Sequence, residues 1–256
     1  MPTFLFNEIV FGPVKSRRLG VSLGINLLPN DSKYCNYNCV YCECGWSNNN
    51  ANPSLPTASQ VLLKLEEKLV EMKGDGSLPD VITYAGNGEP TMHPQFFEIM
   101  QGTKLLRDKI CPDCEITVLT NATLLKHQNV VNALYLADKA FMKLDSAIPD
   151  TIQRINKPVV PVNVDELCMM MKNFGNKLII QTMFVRGVIN GVPFDNTRDS
   201  ELEALLGFYE KAQPSVIHIY SIARDTPLDT ISVVSRTELD RIAKQIENKG
   251  LKVNVY

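Results

Sequence analysis

Short apolar runs recur along the chain, most of them followed by a segment whose apolar residues fall at helical spacing, and this alternation predicts βα units around a largely parallel sheet. The strand-like runs cover residues 21–28 (VSLGINLL), 81–85 (VITYA), 115–120 (EITVLT), 139–144 (KAFMKL), 178–185 (LIIQTMFV) and 216–222 (VIHIYSI). Helices are expected over 57–73, 95–109, 124–136, 164–174, 199–211 and 237–249, and a last short strand over 251–255. In the first helix Thr57 is the capping residue, and Val61, Leu62, Leu65, Leu69 and Met72 share a face. The polar or Pro/Gly-punctuated stretches 51–56 and 188–198 read as loops, and neither has the composition of an interdomain linker. Residues 1–256 are therefore expected to form a single domain, with a core over about 11–224 and a C-terminal helix and strand extension over about 225–256.

Composition narrows the classes. At 256 residues and 45% hydrophobic content the chain can build one large α/β domain or two small ones. The 26 Lys and Arg against 28 Asp and Glu leave no overall basic field to draw in nucleic acid or an anionic membrane. The opening MPTFLFNEIV lacks a basic leader, is interrupted by Asn7 and Glu8, and is too short for a secretory core or a span, so a cytoplasmic location without a membrane partner is expected. In a reducing compartment the seven cysteines read as free thiols, metal ligands or redox groups rather than a disulfide framework.

Four of those cysteines crowd into CNYNCVYCECG, residues 35–45. Thiolates at Cys35, Cys39 and Cys42 can each hold one iron of a cubane, because short spacers let a single loop wrap three corners. The fourth corner receives no ligand from this pattern. Two competing readings stand beside it: a zinc site with Cys44 as fourth ligand, although structural zinc generally pairs two separated knuckles, and a plain thiol loop. Cys44 itself reads as a bystander or as a spare ligand.

With Tyr41 just before the third cysteine, C-x3-C-x2-C resembles the radical SAM superfamily, and Gly86-Asn87-Gly88-Glu89-Pro90 falls at a strand end where that family often has Gly-Gly-Glu-Pro. Residues 143–146 (KLDS), 181–187 (QTMFVRG) and 16–24 (SRRLGVSLG) resemble, between about 11 and 224, the branch that includes wyosine tRNA-modifying enzymes. Those enzymes tend to carry an appended flavin-type domain, for which no room is expected before residue 11 or after 256.

The resemblance implies an α/β fold, a partial (β/α)6 TIM-like barrel open on one side, with the cysteine loop after its first strand. It implies a [4Fe-4S] cluster on Cys35, Cys39 and Cys42, with S-adenosylmethionine chelating the open iron. Tyr41 would meet the adenine region, the turn Gly86, Asn87, Gly88, Glu89, Pro90 the methionine amino group, and Asn121, Asp145 or Ser146 the ribose or carboxylate. Gln181 is the guess for the cofactor side of its strand, since alternation turns Gln181 and Thr182 to opposite faces. The implied activity is reductive cleavage of S-adenosylmethionine to a 5′-deoxyadenosyl radical for C–H activation of a small molecule, peptide or RNA, with an electron donor such as flavodoxin or ferredoxin. The alternatives are a wyosine-type tRNA-modifying enzyme and, from another class, a non-catalytic zinc or thiol protein that binds a partner.

Several residues also have simpler readings. Asn121 can be a turn residue, and Asp145 and Ser146 can cap the helix beginning near Pro149. Arg17 and Arg18, with Lys15 nearby, suit a substrate phosphate or carboxylate, or a solvated basic turn. Arg186 and Arg224 follow strands and could face the same cavity, whereas His93 and His218 show no pattern that marks a base. Cys111 and Cys114 (CPDC) precede a strand and so belong to an αβ loop at the opposite end of the sheet, and Cys168 sits in an apolar helical stripe as a small buried hydrophobe.

Overall fold

The computed structural model describes residues 4–16, 18–47 and 53–256. In chain order its elements are β1 (Val10–Ser16), β2 (Gly20–Ile25), α1 (Ala58–Gly74), β3 (Val81–Tyr84), α2 (Phe96–Ile110), β4 (Glu115–Thr120), α3 (Gln128–Leu136), β5 (Lys139–Lys143), α4 (Pro149–Ile155) and α5 (Val164–Lys172). They are followed by β6 (Leu178–Met183), β7 (Val185–Ile189), β8 (Val192–Asp195), α6 (Asp199–Ala212), β9 (Val216–Tyr220), β10 (Ile231–Val233), α7 (Arg236–Glu247) and β11 (Val253–Val255). One eight-stranded sheet has the order β1-β2-β3-β4-β5-β6-β9-β11. Its six parallel strands from β2 to β9 are the six apolar runs, taken in sequence order, and they form the partial barrel. β1 adds antiparallel to β2, and β11 adds parallel to β9.

Alternation along each strand sorts the residues between two environments. Leu23, Ile25, Ile82, Tyr84, Ile116, Val118, Ala140, Met142, Ile180 and Ile217 turn toward the helices and form the main core. The opposite face is polar for a parallel sheet, which ordinarily is apolar on both sides. Ser22 and Thr83 hydrogen bond there at 2.8 Å. Lys143, Gln181, His218 and Asn254 sit side by side in register across four strands. This face is the interior of the partial barrel.

The first helix is held as expected, with Thr57 and Gln60 forming a reciprocal capping box. Gly102 in α2 lets Leu62 approach, since a Cβ at that glycine would lie 2.3 Å from the Leu62 side chain. Helix α3 begins at Gln128 rather than 124, because residues 123–126 form turns.

Two expectations are corrected. The stretch 188–198 is no open loop: β7 and β8 form a hairpin whose turn residues Asn190 (φ 50°) and Gly191 (φ 79°) both adopt the left-handed conformation of a two-residue turn. With β10 they make a second, three-stranded sheet. Its Val185 and Phe194 pack with Ile155 against Tyr37, Val40 and Tyr41 of the cysteine loop. The first strand of the sheet is β1, which lies before the first apolar run. Ala51 and Asn52, the start of the expected loop 51–56, lie outside the described residues, as does Arg17. Among the described residues no helix is long and apolar enough to cross a membrane.

Candidate cofactor site

The cysteine loop leaves the carboxyl end of β2, where βα loops gather functional groups. Two sides of the scaffold hold it. On one, Tyr34 bridges to Gly88: its N–H donates to the Asn87 carbonyl (2.8 Å) and its carbonyl accepts from Glu89 N–H (3.1 Å). On the other, Asn38 N–H and Val40 N–H donate to the carbonyls of Asn156 and Ile155, both at 2.9 Å, at the end of α4. A loop whose backbone groups are satisfied in this way presents its side chains from a fixed frame.

Cys39 is buried, and Cys35, Cys42 and Cys44 are half-buried. N–H groups point at two of the sulfurs: Tyr37 N–H (3.4 Å) and Asn121 Nδ2 (3.8 Å) at Cys35 Sγ, and Asn156 Nδ2 (3.4 Å) at Cys39 Sγ. Burial, foremost, pushes the Cys35 and Cys39 thiols up. Cys42 is lowered, first by the neighbouring Cys44 thiol and then, against burial, by the nearby Lys33 ammonium; the same pairing raises Cys44. Among the described residues no three Cys, His, Asp or Glu side chains converge as they would around a single ion. A cubane asks for something else, since each thiolate holds a separate iron. Three thiols from one loop, with N–H donors directed at the sulfurs, fit that group.

The turn after β3 abuts the loop. Gly86 (φ 133°) and Gly88 (φ 147°) take conformations that side chains disfavour, and a Cβ at Gly88 would lie 1.8 Å from the Tyr34 carbonyl oxygen. The Gly86 carbonyl accepts from Cys44 Sγ at 3.6 Å. Asn87 directs its amide into the scaffold: it accepts from Phe6 N–H (2.8 Å) and donates to the carbonyls of Phe6 (2.8 Å) and Pro29 (2.7 Å). The buried Glu89 carboxylate accepts from Thr91 N–H (3.1 Å), Thr91 Oγ1 (2.5 Å), Thr120 Oγ1 (2.7 Å) and Asn121 N–H (2.7 Å), tying the end of β3 to the end of β4. Burial raises its pKa in spite of those donors. Pro90 opens a short 3-10 turn and is buried.

Below Cys39 lies a network that joins distant positions. The buried Asp145 accepts at Oδ2 from the Tyr41 hydroxyl, from Asn156 Nδ2 (2.5 Å) and from Lys143 Nζ (3.5 Å), and at Oδ1 from Met183 N–H (2.9 Å). Lys143 Nζ donates to Tyr41 Oη at 2.6 Å and stands 4.8 Å from the Tyr41 ring centroid. Burial lowers the Lys143 pKa, but Asp145 and other neighbours raise it further, so the net shift is upward. Ser146 turns away, donating to Glu201 Oε2 (2.6 Å) and accepting from Ile148 N–H (2.9 Å). Asn121 donates to Asn36 Oδ1 at 2.7 Å and borders the loop. Gln181 lies on the inner face between Lys143 and His218, while Thr182 faces the helices, donating to the Leu144 carbonyl at 2.7 Å.

Lys143, Asn156, Lys33 and Glu201 were not singled out by the sequence. Lys143 was reachable, since it lies two residues before Asp145 on the same strand face. Asn156 carries no local signal. The remaining candidates occupy other places. Arg18 stacks on the rings of Tyr220 and Tyr256 (4.8 and 5.8 Å), and Lys15 is exposed. Arg224 pairs with Glu43 of the cysteine loop at 2.6 Å, whereas Arg186 is engaged by Thr197, Asp195 and Glu238. His93 bonds to the Pro56 carbonyl (2.8 Å) and accepts from Gln95 N–H (3.1 Å). Cys111 and Cys114 lie buried between α2 and β4, and Cys168 is buried in α5.

Comparison with known proteins agrees with this geometry. Residues 30–206 match the radical SAM superfamily. A UPF0026 protein of Synechocystis sp. is 34% identical over 224 residues, which cover 86% of this chain and 77% of that protein. A Brachyspira hyodysenteriae protein named GTPase Obg is 28% identical over 254 residues, and the chain spans 35% of its length. In fold, a radical SAM methyltransferase from Sphaerobacter thermophilus superposes with a TM-score of 0.68 at 15% identity, covering 92% of this chain and 66% of that one. The chain belongs to the radical SAM superfamily, and a [4Fe-4S] cluster and S-adenosylmethionine are its cofactors.

Proposed function

We propose that this chain cleaves S-adenosylmethionine reductively and directs the resulting reactivity at a C–H bond of a polar substrate, with the cluster on Cys35, Cys39 and Cys42. The observation that carries this reading is the contact of the cysteine loop with the Gly86–Pro90 turn through the Tyr34–Gly88 bridge. It brings three thiols and a strand-end turn with approachable backbone to one place. When bound, the two cofactors together supply methionine and a 5′-deoxyadenosyl radical.

The chain's own residues bind, orient and shield. Gly86 and Gly88 let the turn close against Asn26 and Tyr34, which sets its backbone beside the cysteine loop, while Asn87 and Glu89 fix that turn from behind. Asp145, with Tyr41 and Asn156, holds the loop against the end of β5, and Asn121 and Gln181 border the position from β4 and β6. Ser146 supports the same end through Glu201. The second sheet, through Val185 and Phe194, packs over Tyr37, Val40 and Tyr41 and shields that side of the loop from water. The polar inner face of the barrel suits a hydrogen-bonding substrate, and a one-electron carrier such as flavodoxin or ferredoxin would serve as reductant.

Anaerobically reconstituted protein, reduced with dithionite and incubated with S-adenosylmethionine, is expected to release 5′-deoxyadenosine and methionine. Loaded protein that yields neither product would refute the activity.

A further inference from the structure

Lys33 is 3% exposed, and its Nζ donates to the neutral Gly45 carbonyl at 3.0 Å. Among the described residues no carboxylate pairs with it. A buried ammonium without an anion carries a large desolvation cost, so the site calls for negative charge. Gly45 belongs to the cysteine loop, and the Lys33 charge acts on the thiols of Cys42, Cys35 and Cys44. Lys143, from the end of β5, is held between Tyr41 and Asp145, close to Cys39, and its one carboxylate partner is shared with Tyr41 and with Asn156.

We propose that Lys33 and Lys143 bracket the cysteine loop as a built-in counter-charge to the cluster, and that they, with the Asn156 N–H directed at Cys39 Sγ, set its reduction potential. This rests on the cluster being held by Cys35, Cys39 and Cys42. One-electron reduction places one more negative charge on the cluster, and the electron comes from the external donor. Positive charge and N–H···S bonds stabilise that added charge, which raises the potential. Lys33 sits beside the loop's outer cysteines, Cys42 and Cys44, and Lys143 beneath Cys39. Each acts as a positioning charge, with no contact to a substrate required.

The test is an EPR-monitored redox titration of anaerobically reconstituted protein, with no S-adenosylmethionine added. Lys33→Met and Lys143→Met are each expected to shift the ratio of reduced to oxidised cluster at fixed potential by at least about tenfold toward oxidised, a fall of about 59 mV for a one-electron couple. Lys33→Arg and Lys143→Arg are expected to restore the wild-type ratio within about threefold, or about 28 mV on the same scale. Loaded methionine variants with a ratio within twofold of wild type would overturn the proposal. If neither methionine variant retains a cluster, loading of both arginine variants supports it, and failure of both arginine variants overturns it. Failure of the underlying reading looks different, because then the wild type itself would take up no iron and sulfide.

Discussion

Gly88→Ala is the sharpest perturbation available at the contact between the turn and the cysteine loop. At φ 147° an alanine Cβ would lie 1.8 Å from the Tyr34 carbonyl oxygen, 2.5 Å from its carbon and 2.9 Å from Leu28 Cδ1. The nearest two atoms are backbone and cannot swing aside as a side chain would. Relief of the clash must separate Tyr34 from the turn, losing the 2.8 Å bond from Tyr34 N–H and the 3.1 Å bond from Glu89 N–H. Backbone strain of about 1–3 kcal/mol and two hydrogen bonds at about 1 kcal/mol each give a destabilisation of roughly 3–5 kcal/mol. That is a large part of the ~5–15 kcal/mol that holds a typical protein folded. Urea unfolding followed by circular dichroism measures it, with Gly250→Ala as comparison. Gly250 also has a positive φ (75°), but nothing lies within 4 Å of its added Cβ. Strain alone then costs about 1–2 kcal/mol. A Gly88→Ala variant no less stable than Gly250→Ala would refute the reasoning that close approach of the loop, and not conformation alone, requires this glycine.

Two further outcomes follow from the buried polar groups. Asp145→Ala removes the carboxylate paired with Lys143 and the acceptor of Tyr41, Asn156 and Met183 N–H, so a loss of about 3–5 kcal/mol is expected in thermal or urea unfolding of the metal-free protein; a loss under about 1 kcal/mol would show that the carboxylate is dispensable. His218 is buried, and burial first, then Arg18 and Lys139, lowers its pKa to about 4 from an ordinary 6.5. The unfolded chain therefore binds the proton more readily, and the contribution of this group is full above pH 6.5 and is lost as pH falls toward 4, at most about 3 kcal/mol. His218→Gln is expected to flatten that part of the stability profile, and an unchanged slope would contradict the assignment.

The six parallel strands were legible because each is a dense apolar run whose helix-facing residues must be buried, as Ile82 and Tyr84 are in β3. The β7–β8 hairpin was missed: Val-Ile-Asn-Gly-Val carries a hairpin signal, but Gly191 and Pro193 read as loop punctuation when taken without the strands on either side. In the site, local chemistry made the cysteine spacing and the glycine turn visible. The Tyr41–Lys143–Asp145–Asn156 network was mostly hidden, since Tyr41 meets Asp145 and Asn156 across sequence separations of 104 and 115 residues. Asn87 and Ser146 show the converse. Their neighbourhood in the chain points to the cofactor, while their side chains serve Phe6 and Pro29 in one case and Glu201 in the other.

The central claim is that Cys35, Cys39 and Cys42, and not Cys44, hold the cluster. Iron and acid-labile sulfide per chain after anaerobic reconstitution test it most directly. Wild type and Cys44→Ala are expected to bind about four of each, and a Cys35→Ala, Cys39→Ala, Cys42→Ala triple variant close to none. Full iron and sulfide in the triple variant, or their loss in Cys44→Ala alone, would contradict the account.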